Sequence, residues 1–295
     1  MKPTAVARAE RVLGIGAESW ARVESRGWSR NEHWTIVCAD GTRAFVKLAA
    51  IPPSPEWVRD EVRVYEAISG TFMPRLLCWE DGDEPLLVLE DVSHGARFPP
   101  PWQPEDVDAV LAALAEAAAA EIHGALPRLA DESWPGWDHV ARDPAPFLSL
   151  GVGSRAWLDA ALPTLVAASA QTQLEGDSIV HCDVRSDNLC LREGRAVLFD
   201  WNHAHVGNPA FDAAFWAPSL ALEGGPDPQE LAQAELAPMV AGFFAALAGL
   251  PPPEGAPLVR GFQLAQLEVA LPWACAMLDL PPPQTARLAV ERADR

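Results

Sequence analysis

The chain has 295 residues, about half of them apolar, and 41 acidic against 22 basic residues give a formal net charge of −19. This length holds one large domain or two lobes, and the acidic balance excludes a nucleic-acid partner, whose phosphates it would repel. No run approaches about eighteen uninterrupted apolar residues, so no membrane span is expected. The opening Met1-Lys2-Pro3-Thr4 shows no charged-then-apolar leader pattern, which points to a cytoplasmic protein. Five cysteines, odd in number and without C-x-x-C spacing, fit free thiols in a reducing compartment better than disulfides or zinc.

Residues 4–13 read as a short helix stopped by Gly14-Ile15-Gly16, a helix stop rather than a nucleotide fingerprint. Three strand-like stretches follow, Trp20–Ser25, His33–Cys38 and Arg43–Ala49, the second alternating as a half-buried antiparallel strand does. The polar turn Gly27-Trp28-Ser29-Arg30-Asn31 between the first two has the composition of a hairpin or of a flap over phosphates. Of the 22 basic residues only Lys2 and Lys47 are lysine. A chain that otherwise uses arginine but keeps Lys47 in mid-strand has a use there for a compact point charge, unless it is an ordinary exposed strand lysine.

A helix is expected over 55–69, with Pro55 in its first turn and Trp57, Val58, Val62, Tyr65 and Ile68 at helical spacing. Glu61 lies one turn before Tyr65 and is placed to pair with Lys47; Asp60 and Glu66 are equally available by composition. Strands around Leu76–Trp79 and Leu86–Leu89 end the β-rich part, and strand content is expected to stop there. The segment His94 to Trp102 is a proline-rich connector, followed by helices over 105–123, 155–171, 228–249 and 258–279. The expected architecture is α+β: a small antiparallel nucleotide-binding lobe with one helix (1–92) and a larger, mainly helical lobe (93–295).

Function is carried by His181-Cys182-Asp183-Val184-Arg185-Ser186-Asp187-Asn188 and by Leu198-Phe199-Asp200. An Asp, an Asn five residues on and a second Asp twelve beyond it supply what phosphoryl transfer needs: a carboxylate to take a hydroxyl proton, and oxygen ligands for Mg²⁺. The run continues Trp201-Asn202-His203-Ala204-His205-Val206-Gly207-Asn208-Pro209-Ala210-Phe211-Asp212. Its H-x-H pair has the form of a transition-metal site, but one neighbouring carboxylate is thin support, and packing or substrate contact accounts for it better.

With these residues in place, the chain resembles the aminoglycoside phosphotransferase and choline kinase group of small-molecule kinases, relatives of the protein kinases, from about Gly27 to Trp216. The resemblance implies a protein-kinase-like two-lobed fold and an ATP- or GTP-dependent, Mg²⁺-requiring enzyme. It further implies that Asp183 is the catalytic carboxylate, that Asn188 and Asp200 bind the metal, and that Lys47, oriented by Glu61, holds the α- and β-phosphates. By the same likeness Ser29, Arg30 and Asn31 form the phosphate-covering loop, and the Glu90 carbonyl and Val92 amide receive the adenine edge. Asp212 and His181 are structural, the first tying down the catalytic loop and the second buried and neutral. Trp201 replaces the Phe of D-F-G, and no Ala-Pro-Glu segment follows Asp200, which disfavours protein substrates.

Residues 1–92 hold 11 basic and 15 acidic residues, and residues 93–295 hold 11 and 26. That imbalance either steers a cationic acceptor, such as an aminoglycoside, another antibiotic or an amino alcohol like choline, or serves solubility. Candidate acceptor contacts are Asp187, Glu223, Asp227, Glu268 and Trp273. The competing reading is a pseudokinase or sequestering protein that binds nucleotide or drug without transfer. Oligomeric state is not legible.

Overall fold

The computed structural model describes residues 2–24, 31–254 and 256–283. Packing divides the chain into two compact units, Met1–Leu129 with Gly176–Asp212, and Ala130–Glu175 with Ala213–Arg295. The segment from Gly176 to Asp212, which holds Asp183, Asn188 and Asp200, packs with residues 1–129.

In the first unit, helix α1 (Thr4–Leu13) ends at Gly14, whose φ of 72° supplies the left-handed turn that closes it. Strands β1 (Ala17–Val23), β2 (Glu32–Cys38) and β3 (Arg43–Leu48) precede helix α2 (Ser54–Ala67), and β4 (Leu76–Glu80) and β5 (Leu86–Glu90) complete an antiparallel sheet of order β1-β2-β3-β5-β4. Ala5, Val6 and Ala9 of α1 pack on Ile36, Val46, Leu86 and Val88. This core covers one sheet face. On α2, Val58, Glu61, Val62 and Tyr65 are buried, the helical-period stripe expected, with a carboxylate set among apolar neighbours. Helix α3 (Pro104–Ala118) begins at a cap in which Asp106 accepts from the Gln103 amide.

Strand content does not end at the connector, as the sequence suggested. Short antiparallel pairs join β6 (Ser178–Val180) to β9 (His205–Gly207) and β7 (Leu189–Arg192) to β8 (Arg195–Leu198). The β7–β8 hairpin turns on Glu193-Gly194, both at positive φ (53° and 75°), as a tight two-residue hairpin requires. These fragments are three or four residues long, too short for alternation to announce them, yet they hold the catalytic-loop residues between them.

The second unit is helical among its described residues: α4 (Trp137–Arg142), α5 (Ala145–Ser149), α6 (Arg155–Ala170), most of α7 (Ala210–Leu222), α8 (Pro228–Leu231), α9 (Ala237–Leu247) and α10 (Val259–Met277). Trp137, fully buried, donates its indole N–H to the Pro238 carbonyl at 2.9 Å and meets Phe147 edge-on. The helix expected over 228–249 is broken at 232–236, where Pro238 denies an amide to any helix running through it. Helix α7 gave no periodic signal because it is apolar on all sides; Phe211, Ala214, Trp216, Ala217 and Leu220 are all buried. Among the described residues no helix is long and apolar enough to cross a membrane.

Gly176 lies at the entry to β6, and a Cβ there would sit 2.3 Å from the Gly207 carbonyl oxygen. Gly176→Ala is expected to destabilise the protein by about 1–3 kcal/mol. An unchanged urea midpoint would show that β6 and β9 do not need this close approach.

Candidate active site

Lys47 is in β3, with Phe45 two residues before it on the same face of the strand. It is buried, and its Nζ lies 2.6 Å from Glu61 Oε2 on α2 and 2.6 Å from Asp200 Oδ1 after β8. Of the three acids weighed from the sequence, the fold selects Glu61: Asp60 pairs with Arg63, and Glu66 is exposed. Burial works against the Lys47 charge, but the Asp200 and Glu61 carboxylates outweigh it and hold the ammonium above its ordinary pKa. Burial raises the Glu61 carboxyl, and Lys47 opposes that only in part. For Asp200 the balance reverses. Burial again raises it, yet Lys47 brings the carboxyl down to about 2, so it stays ionised. Asp200 sits in the left-handed region at φ 70°.

Asp183, Arg185, Asp187 and Asn188 line the same cavity as Lys47 and Asp200. Asn188 Nδ2 donates to both the main-chain carbonyl (2.9 Å) and Oδ2 (2.8 Å) of Asp183. Burial raises the Asp183 carboxyl, and Arg185, at 3.6 Å from Oδ1, opposes the rise. Arg185 also grips Asp187 with two hydrogen bonds of 2.9 Å.

Behind the loop, His181 is fully buried. Its Nε2 lies 3.1 Å from the Phe199 carbonyl and its Nδ1 faces the Asp183 amide at 3.3 Å. One nitrogen therefore donates and the other accepts, which defines a neutral tautomer. Burial pushes its pKa from 6.5 to about 4. Asp212, also buried, accepts from the His181 amide at 2.7 Å and the Cys182 amide at 2.8 Å. Its pKa rises to about 6 through burial, against the pull of those two amides. The two amides it holds lead into Cys182, which sits at φ 64°. Trp201 is buried against His181 and Phe72 and donates its indole N–H to the Leu198 carbonyl at 2.9 Å.

Lys47, Glu61, Asp183, Asn188 and Asp200 line one cavity of about 810 Å³, with Asn31, Glu90 and Val92. Its size suits a nucleotide or drug-sized molecule. Thr35, Phe45, Leu89 and Phe98 give it an apolar part, and His33, Trp57 and Arg185 also line it. The sequence reading did not single these residues out. For Phe45 the signal was available, since it shares a strand face with Lys47, whereas His33 is tied to Lys47 only through the β2–β3 register. The Val92 amide lies past the end of β5 and makes no hydrogen bond among the described residues, whereas the Asp91 amide is spent on the Arg43 carbonyl. The Glu90 side chain is tied outward to Arg75 and Arg192.

The other expected residues fall as follows. Ser29 and Arg30 lie outside the described residues. Glu223, Asp227, Glu268 and Trp273 belong to the second unit. Asp227 is exposed and caps α8 through the Gln229 amide at 2.9 Å, Glu268 is exposed on α10, and Glu223 closes the end of α7. Trp273 is 2 % exposed, a core residue of its unit. No cluster of three or more His, Cys, Asp or Glu able to hold a metal occurs among the described residues. His205 Nδ1 is instead 2.7 Å from the His203 carbonyl.

A family model described as the phosphotransferase enzyme family matches residues 22–252. The chain belongs to this family. Comparison with curated protein sequences gives no match. Among solved structures it is similar to an aminoglycoside phosphotransferase from Alicyclobacillus acidocaldarius, at TM-score 0.57 and 17% identity, covering 99% of this chain and 97% of that one. A spectinomycin phosphotransferase in complex with ADP and spectinomycin matches at TM-score 0.56 and 9% identity over 93% and 98%. A choline/ethanolamine kinase family protein from Mesorhizobium loti matches at 0.53 and 14% over 93% and 94%. These likenesses carry the fold, which is protein-kinase-like and α+β, and the family match makes the chain a phosphotransferase.

Removing one member of a buried ion pair strands the other. Lys47→Met is expected to cost about 3–5 kcal/mol in urea unfolding, and Lys47→Met/Glu61→Leu to recover most of it. A double variant no more stable than the single one would show that Glu61 does not depend on Lys47. For His181 the folded pKa of about 4 lies below the ordinary 6.5. Its stabilising contribution is therefore full above pH 6.5 and is lost as the pH falls toward 4. The stability gap between wild type and His181→Gln should narrow over that window by on the order of 3 kcal/mol. Asp212 titrates in the same range with opposite sign, but it is common to both proteins and cancels. A pH-independent gap would mean that His181 is not held neutral.

Proposed function

We propose that the protein moves the terminal phosphoryl group of a magnesium-bound nucleoside triphosphate, ATP or GTP, to a hydroxyl of a small, amine-bearing molecule. The observation that carries this reading is Lys47, held at 2.6 Å from both Glu61 and Asp200 in the cavity that Asp183 and Asn188 also line. A binder that performs no transfer has no use for all five groups, which weighs against a sequestering protein.

The donor set fits magnesium. Asp200 is kept ionised, and Asn188 spends its amide nitrogen on Asp183, which leaves its carbonyl oxygen; both are the hard oxygen ligands the ion takes. When bound there, the ion offsets charge on the phosphate oxygens. Lys47 binds the α- and β-phosphates as a point charge, and Glu61 fixes its direction. The Val92 amide and the Glu90 carbonyl hold the purine edge. Asp183, its pKa raised by burial, accepts the acceptor's proton as the new P–O bond forms and the bond to the leaving diphosphate breaks. Arg185 sits beside it, where it tempers the carboxylate and keeps Asp187 engaged. An amine-bearing acceptor is favoured by the 26 acidic residues against 11 basic ones in residues 93–295.

The test is phosphate incorporation from Mg·ATP or Mg·GTP into a panel of aminoglycosides, peptide antibiotics, choline and sugars. Transfer to an amine-bearing alcohol is expected, and Asp183→Asn should lower turnover about 10²–10⁴-fold with nucleotide affinity little changed. Tight binding of a panel member without transfer would overturn the reading in favour of sequestration. Undiminished turnover in Asp183→Asn would displace that residue from its role.

A further inference from the structure

His33 stands directly across from Lys47: the two are Cα partners in the β2–β3 ladder, so their side chains leave the sheet on the same face. The imidazole is 9 % exposed and lines the cavity together with Lys47 and Asp200. Its ring is packed on Phe45, with centroids 5.4 Å apart and planes tilted by 34°, which fixes its direction. Its Nε2 is buried and has no hydrogen-bond partner among the described residues. A polar nitrogen left unsatisfied in a buried place carries a desolvation penalty that an occupant of the cavity can remove.

Its surroundings select the kind of occupant. Burial, and then the Lys47 ammonium, push the His33 pKa to about 4 against the weaker pull of Asp200. The ring is therefore neutral near pH 7 and offers one N–H. A donor placed beside an ammonium suits an anionic acceptor and disfavours an amine, which Lys47 would repel. Across the ladder from the residue assigned to the α- and β-phosphates, the anion that an occupant would bring is the phosphate chain.

We propose that His33 is a second phosphate-binding residue of the β2–β3 pair, donating Nε2–H to a phosphate oxygen of the nucleotide next to the one held by Lys47. This rests on the reading of the cavity as a nucleotide site. Nothing in the motif set points to position 33; the assignment comes from ladder register and an unsatisfied atom. His33 touches the nucleotide and contributes to its binding, whereas the proton transfer stays with Asp183.

Two variants separate hydrogen bonding from packing. His33→Phe keeps an aromatic ring against Phe45 and removes the donor, and His33→Gln keeps a donor. Affinities of the full-length chain for Mg·ATP, Mg·ADP and adenosine are measured by calorimetry, with melting temperatures alongside. His33→Phe is expected to weaken Mg·ATP and Mg·ADP about 10–100-fold, as loss of one hydrogen bond to a charged group does, and to leave adenosine within about twofold. The melting temperature of His33→Phe should not fall, because the buried orphan nitrogen is gone. His33→Gln should recover part of the lost affinity. Unchanged Mg·ATP affinity in His33→Phe, or equal losses for Mg·ATP and adenosine, would overturn the phosphate contact while sparing the nucleotide site. A wild-type protein that binds none of the three would overturn the nucleotide reading and this proposal with it.

Discussion

A buried ammonium has to be paired, and the functional part of this fold is arranged around that requirement at Lys47. A lysine 6 % exposed in a strand between two others is costly unless opposite charge reaches it. The strand cannot supply that charge itself. Glu61 comes from helix α2, and Asp200 from a turn 153 residues away in sequence. An error in the seating of either element would leave a buried charge unmatched. The pair therefore acts as a geometric specification as well as a binding group. An arginine would not serve, because its planar fork calls for two acceptors in its own plane, whereas a lysine head group accepts carboxylates from separate directions.

The catalytic loop solves a related problem by different means. Cys182 and Asp200 both occupy positive φ, which costs a non-glycine residue on the order of 1 kcal/mol or more. Asp212 secures the first by taking the amides of His181 and Cys182, and Lys47 holds the side chain of the second. His181 lies between them and reaches the Phe199 carbonyl with one nitrogen and the Asp183 amide with the other. The segment before Asp183 and the segment before Asp200 are thus tied to one neutral ring, and the spacing between the two acids does not depend on the acids themselves.

Much of this was legible in the sequence because it is local or chemically singular. The stretch from His33 to Val37 alternates, α2 has a clean helical stripe, and Lys47 is one of only two lysines. The motif residues Asp183, Asn188 and Asp200 stand at spacings that phosphoryl transfer demands. What escaped detection did so for physical reasons. The strands β6 to β9 are three or four residues long, below the length at which a period-two pattern can be read. Helix α7 is apolar all round and so has no period to find. The pairing of Asp187 with Arg185 and the burial of Trp273 are matters of tertiary packing that their local sequence does not carry. His33 was missed because its meaning is a matter of cross-strand register, which no single-strand pattern contains.

The two partners of Lys47 differ in a way that bears on how the site works. Glu61 is 1 % exposed and enclosed by its helix, while the Asp200 side chain is 41 % exposed and opens into the cavity. Removing Lys47 from Glu61 would strand a buried carboxylate. Removing it from Asp200 would leave a carboxylate that an incoming ligand can reach. The asymmetry gives Lys47 one enclosed partner and one that faces the cavity. On the function proposed above, a polyphosphate would take the ammonium's outward hydrogen bond while the inward one to Glu61 stays in place. The oxygens of Asp200 would then be open to the magnesium ion it is proposed to hold. The direction of Lys47 is therefore set by the partner that an occupant of the cavity does not displace.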